Sequence, residues 1–127
     1  MSDETTRGIR VEVESYHIPE RSRPQQHYYF FAYQVTISNV GTETAQLLSR
    51  KWIITDAEGR VETVEGPGVV GQQPRLKPGD SFQYTSFCPL NTPVGSMHGE
   101  YRMITAGDEE FEARIAPFTL AVPTAVN

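Results

Sequence analysis

The residues with the most chemical promise are the glycines of Gly66-Pro67-Gly68-Val69-Val70-Gly71, a G-x-G-x-x-G run followed by Arg75 and Lys77. Such spacing cradles a pyrophosphate when it ends a strand and opens a helix, because the amides at the helix N-terminus then point at the anion. Here Pro74 and Pro78 would stop any helix early. The acidic residue that a dinucleotide site carries about 20 positions further on is also missing, since that region reads Leu90-Asn91-Thr92. A Rossmann enzyme is therefore rejected. A nest of loop amides can hold an anion without a helix, and no acid lies between Glu65 and Asp80. Gly66, Gly68, Gly71, Arg75 and Lys77 are thus the candidate anion- or partner-binding residues. The plainer reading is an ordered loop whose glycines only satisfy backbone geometry.

Other reactive side chains are scattered. His17, His27 and His98 share no metal-ligand spacing with one another or with the single cysteine. They read as surface or strand-end residues, and no metal site is proposed. Cys88 falls on a face with Phe82, Tyr84 and Ser86, which suits a small core residue. A nucleophilic thiolate needs a neighbouring base, and no local signature supplies one. Glu12, Glu14, Glu109, Glu110 and Glu112 alternate with apolar residues, as solvated strand faces do. No catalytic residue is assigned and no cofactor is called for, so the expected protein is not an enzyme.

The elements that carry these residues are strands. From His27 to Val40, Tyr29, Phe31, Tyr33, Val35 and Ile37 fall on one face, and Ala32, Gln34, Thr36 and Ser38 on the other. Ile9–Ile18 alternates around Val11 and Val13, and the polar Glu20–Gln26 is a connection. Thr44–Thr55 repeats the pattern with Leu48, Trp52 and Ile54 on one face and Arg50 intruding. Arg60–Glu65, Ser81–Cys88, Met97–Thr105 and Glu110–Val122 complete the set, with Pro117 bending the last. Seven or eight strands and no amphipathic helix predict an all-β, two-sheet antiparallel sandwich of immunoglobulin or fibronectin III style. One cysteine excludes the antibody subtype, which needs a pair. The aromatic stripe and Trp52 read as core rather than as a ligand platform.

Composition bounds the rest. A chain of 127 residues is expected to form a single domain, 1–127, with its core over about 8–122 and short flexible tails at both ends. Its length suffices for a core without staples. The net charge of −5 opposes nucleic-acid binding, which needs a basic surface. Residues 1–7 have no apolar core, so no signal peptide is read there. No apolar run approaches the roughly 20 residues that cross a bilayer. A lone cysteine and no membrane segment make a cytoplasmic location the expectation. The expected state is a monomer or a weak homodimer.

Longer motifs carry a resemblance. The run Val64-Glu65-Gly66-Pro67-Gly68-Val69-Val70-Gly71-Gln72-Gln73-Pro74, followed by Leu76-x-Pro78-Gly79-x-x-Phe82-x-Tyr84-Thr85-Ser86, closely resembles the bacterial ApaG family. So do Gly95-x-Met97-x-Gly99-x-Tyr101-x-Met103 and Leu47-Leu48-x-Arg50-x-Trp52-x-Ile54-x-Asp56-x-x-Gly59. The resemblance covers roughly residues 8–122. It implies a fibronectin III-like sandwich, an association with cobalt and magnesium resistance or efflux, and no established enzymatic activity. Similar domains in eukaryotic proteins look like protein-interaction modules, which implies a protein partner here. The family's glycine motif has also prompted a pyrophosphate-binding suggestion. The sequence-level expectation is therefore a non-enzymatic binding module for a protein partner, or alternatively a pyrophosphate or nucleotide sensor using the Gly66–Gly71 loop.

Overall fold

The computed structural model describes residues 1–123. The strands are β1 (Ser2–Thr6), β2 (Ile9–His17), β3 (Tyr29–Asn39), β4 (Ala45–Asp56), β5 (Val61–Pro67), β6 (Arg75–Leu76), β7 (Ser81–Leu90), β8 (Val94–Thr105) and β9 (Glu110–Ala121). All pair antiparallel in two sheets. One runs β1-β2-β3-β7; the other runs β5-β4-β8-β9, with β6 also on β4. This is the immunoglobulin/fibronectin III-like sandwich that the strand pattern predicts. Two 3-10 turns, Pro19–Arg21 and Pro24–Gln26, form the polar connection before β3.

The core forms where the inward residues of the two sheets meet. From the first sheet come Val11, Val13, Phe31, Val35 and Ile37, and from the second Leu47, Trp52, Tyr101, Met103 and Ile115. Trp52 is its aromatic hub, with ring centroids 5.2 Å from Tyr33, 6.3 Å from Tyr101 and 5.9 Å from Phe118. Burying an indole of this size is among the largest single contributions to a sandwich core.

Among the described residues nine strands form where the sequence predicts seven or eight. One addition is β6, two residues long. The other is β1, which corrects the reading of the N-terminal residues as a flexible tail. Ser2–Thr6 has no apolar alternation, so period-two counting passes over it. It is held instead by a backbone ladder from Ser2↔Val13 to Thr6↔Ile9, closed by a turn at Arg7-Gly8, both with positive φ. Arg10 donates to both carboxylate oxygens of Asp3 across this hairpin, at 3.0 and 2.7 Å. The C-terminal tail, 123–127, lies outside the described residues except for Pro123.

A second correction concerns β4. Counting back from Trp52 by twos puts Leu48 in the core, but the pairing with β8 slips between Leu47 and Ser49. The β-bulge reverses the inward phase: Leu47 is fully buried and Leu48 only half-buried. The bend read at Pro117 is also a bulge, since Met97 faces Phe118 while Gly99 faces Ile115.

Candidate functional site

The Gly/Pro stretch spans two strands that share one edge of β4. β5 pairs with Ser49–Thr55 and β6 with Ala45–Gln46, and the chain crosses the β4 bulge between them. The bulge fixes that crossing. The carbonyl of Leu48 accepts from the Gly68 amide and from Gln73 Nε2, both at 2.9 Å. Leu47 donates its amide to the Pro74 carbonyl at 3.0 Å. Val69 and Gln72 exchange backbone bonds at 2.8 and 2.9 Å around a turn whose central residues, Val70 and Gly71, have φ of 43° and 79°. Two positive φ values mark the mirror-image turn of tight hairpins.

The sequence-predicted residues therefore divide. Gly66, Gly68 and Gly71 lie together in this crossing and serve its geometry. Gly68 has φ +62°, and a Cβ there would collide with the Gln72 carbonyl oxygen. The amides of Gly68, Val69 and Gln72, which an anion cradle would use, all donate to carbonyls of the protein. Arg75 and Lys77 flank buried Leu76 and are exposed. The Lys77 amide donates to Asp80 Oδ2 at 2.9 Å, so an acid from just beyond the basic interval folds back onto it.

Arg50, the intruder on the apolar face of β4, proves central to this region. Its guanidinium lies over Gly66, where a Cβ would come within 2.9 Å of Nη2. Nη1 donates to the carbonyls of Pro67 and Gly68, each at 2.9 Å. Beside it a cleft opens between the sheets on the side flanked by β5 and β7. One lobe, about 410 Å³, is lined by Tyr33, Arg50, Trp52, Val69 and Tyr84. A second, about 240 Å³, shares Tyr33, Arg50 and Trp52 and adds Glu62, Ser86 and Cys88. Sequence reasoning did not assign this site. Its signal was a charged residue at an inward position, where the period of two calls for an apolar one.

Burial governs the titratable groups around the cleft. It pushes the Tyr33, Tyr84 and Tyr101 phenols above their ordinary range. The Tyr84 and Tyr101 hydroxyls meet and bridge β7 to β8 between the sheets. Burial, with Glu62 adding to it, raises the Cys88 thiol to about 11. A thiol so placed stays protonated at neutral pH, and Cys88 is buried in the core cluster as its strand face predicts. His17 hydrogen-bonds Ser22 Oγ at 3.0 Å and packs on Phe31. His27 follows the second 3-10 turn with φ 54°. His98 lies at the β8–β9 bulge. The three stand on separate elements, and among the described residues no group of three His, Cys, Asp or Glu is arranged to hold a metal ion.

A different surface is exposed on the outer face of the first sheet. Tyr16, Ala32 and Phe87 share one cross-strand row. Phe30 stacks on Phe87 at 5.5 Å and on Tyr28 at 6.2 Å, and Arg21 lies 4.2 Å above the Phe30 ring. Phe87, Tyr16 and Tyr28 are 51%, 48% and 36% exposed, so this is an uncovered aromatic patch. No helix among the described residues is long and apolar enough to cross a membrane.

Fold and site together define a fibronectin III-type sandwich with a backbone-pinned Gly/Pro crossing and an arginine-bearing cleft beside it. The ApaG domain family matches residues 19–105. Proteins called ApaG from Anaeromyxobacter sp. strain K and Acidithiobacillus ferrooxidans are 55% and 52% identical, covering 100% and 98% of both chains. The chain belongs to the ApaG family. A crystal structure from Bordetella pertussis superposes with TM-score 0.89 at 52% identity, over 91% of this chain and 94% of that one. The C-terminal domain of wzt, 9% identical with TM-score 0.55 over 95% of this chain and 77% of that one, shares the fold alone.

Proposed function

We propose that this domain is a non-enzymatic protein-binding module whose principal contact is the aromatic patch of Tyr16, Tyr28 and Phe87. The observation that carries this reading is the exposure of three large aromatic side chains beside a stacked Arg21. Solvent-exposed aromatics with arginine are the composition of interface centres rather than of ordinary surface. Tyr16 and Phe87 stand on paired strands and Phe30 stacks on Phe87 and Tyr28, so the patch is formed before any partner arrives. Any bearing on cobalt or magnesium tolerance is then indirect, exerted through the partner.

The Gly66–Gly79 stretch, with Arg75 and Lys77 as polar contacts, is the surface favoured from the sequence, and one experiment separates the two. A photo-reactive phenylalanine is placed at position 87 or at position 75 in cells, and a cross-linked protein is then purified and titrated by calorimetry. Phe87→Ser with Tyr16→Ser is expected to weaken that complex by about 10-fold or more, the scale of losing a hot-spot pair. Arg75→Glu with Lys77→Glu is expected to change it little. The reverse ranking moves the interface to the loop, and no cross-link from either position ends the proposal.

A further inference from the structure

We propose that the cleft beside Arg50 binds a carboxylate carried on a small apolar body, with the Arg50 guanidinium as its anchor. The site shares only Phe87, at the rim of its second lobe, with the aromatic patch, and its anchor is a side chain rather than the amides of the Gly/Pro crossing.

The anchor is preorganised. Two backbone carbonyls, Pro67 and Gly68, hold Nη1, and the guanidinium rests over Gly66. That leaves Nε and Nη2, whose paired N–H groups match the two oxygens of a carboxylate. Arg7, Arg10, Arg60, Arg102 and Arg114 each have a carboxylate within salt-bridge distance. Among the described residues Arg50 has none, although it is half-buried and faces the space between the sheets. A half-buried cation without a counter-ion is costly unless something neutralises it. An anionic ligand supplies that charge.

The walls select the rest of the ligand. Two adjoining lobes of about 410 and 240 Å³ open beside the anchor. Trp52 and Val69 give them apolar surface, while Tyr33, Tyr84 and Ser86 place hydroxyls near the charge. Arg50 is the one cation in either lining, and Glu62 at the second lobe is the one acid. A single guanidinium balances a monoanion and leaves a phosphate dianion or pyrophosphate underneutralised. Glu62 disfavours a second negative group further along the cleft. The match is a monocarboxylate with an aromatic or branched body, a combination typical of small-molecule pockets. Two sources share that chemistry: a free organic acid, and the C-terminal carboxylate of a peptide, for which the flanking edges β5 and β7 leave room.

The test follows the Arg50 Nε–H and Trp52 indole N–H signals of the full chain by NMR. The probes are 3-phenylpropionate, 3-phenylpropionamide, the tripeptide Ala-Ala-Phe as free acid and as terminal amide, and pyrophosphate. Both acids are expected to shift the two signals saturably, each about 10-fold or more tighter than its amide, the scale of a charge-assisted pair. Tighter binding of the tripeptide acid assigns the site to chain termini, and tighter binding of phenylpropionate assigns it to free acids. Arg50→Lys keeps the charge but loses the fork, and should weaken the acids about 10-fold. Because Arg50 also ties the crossing, Ser86→Leu is the second variant. It fills the cleft from β7, leaves those ties intact, and should abolish the shifts while the melting temperature holds. Amides binding as tightly as acids, unchanged affinity in Ser86→Leu, absence of saturable shifts, or stronger binding of pyrophosphate would each overturn the assignment.

Discussion

Along one long side of the sandwich, β1 and β2 meet β9 through side chains that donate or accept across the gap. Ser15 Oγ donates to the Thr119 carbonyl at 2.7 Å, the Arg114 amide donates to Thr6 Oγ1 at 3.2 Å, and Arg114 pairs with Glu4. Along the other, no hydrogen bond joins β5 to β7 among the described residues, and the gap holds the Arg50 cleft. An exposed strand edge invites pairing with another chain. The first side answers this by hydroxyl ties. The second answers it within the edges themselves: β7 carries Pro89, and β5 carries Glu62, Glu65 and Pro67. Proline and charge blunt sheet extension while leaving the space between the sheets open. One side is built for closure and the other for access.

If that contrast is right, the open side must be held by its core rather than by edge contacts. Trp52→Ala should then cost about 3–5 kcal/mol, because it removes the hub on which Tyr33, Tyr101 and Phe118 pack. Ser15→Ala, which cuts one tie on the closed side, should cost only about 1 kcal/mol. Urea unfolding of the two variants measures both. Equal losses would mean that the hydroxyl ties carry the sandwich as much as the aromatic hub does.

The core was largely legible in the sequence, and the two long sides were not. Alternation in β3 identifies its buried face because burial on one side of a sheet enforces a period of two. The same rule misplaces Leu48, since an inserted bulge residue shifts the phase and leaves no mark in composition. It passes over β1, whose residues are polar and are held by the ladder to β2. The G-x-G-x-x-G spacing is visible in the sequence, but its role depends on where the amides point, and those of Gly68, Val69 and Gln72 point at the protein's own carbonyls. Arg50 stands out in the sequence as an exception to the alternation, with no role attached. Its role depends on the Pro67 and Gly68 carbonyls, which only pairing of β5 to β4 brings within reach.

Alkaline pH should separate the sides next. Burial raises Cys88 and the Tyr33, Tyr84 and Tyr101 phenols, and these groups cluster at the open side and its core. Each ionises to an anion, so the unfolded chain releases its protons first. Stability is fully present below the unfolded values and falls as pH rises toward the folded ones. For Cys88 the window runs from about 9 to about 11, and linkage gives a loss of roughly 2–3 kcal/mol across it. Urea midpoints at pH 8 and pH 11 should show the fall, and Cys88→Ala should lessen it, the remainder coming from the three buried phenols. A midpoint independent of pH over that range would place the thiol and the phenols in contact with solvent.

The smallest effect sharpens the picture of the crossing at the cleft mouth. Val70 holds φ 43° and is 55% exposed, so its branched side chain is strained in the backbone and packs little in return. Asparagine tolerates this left-handed conformation and, followed by Gly71, is the preferred pair for a mirror-image turn. Val70→Asn is therefore expected to stabilise by about 0.5–1 kcal/mol, read as a rise of a few degrees in melting temperature. Were the crossing built only for stability, asparagine would already serve better there. A stabilised variant that also binds 3-phenylpropionate more weakly would show that the Val70 side chain serves the cleft. Unchanged binding would confine its role to the turn.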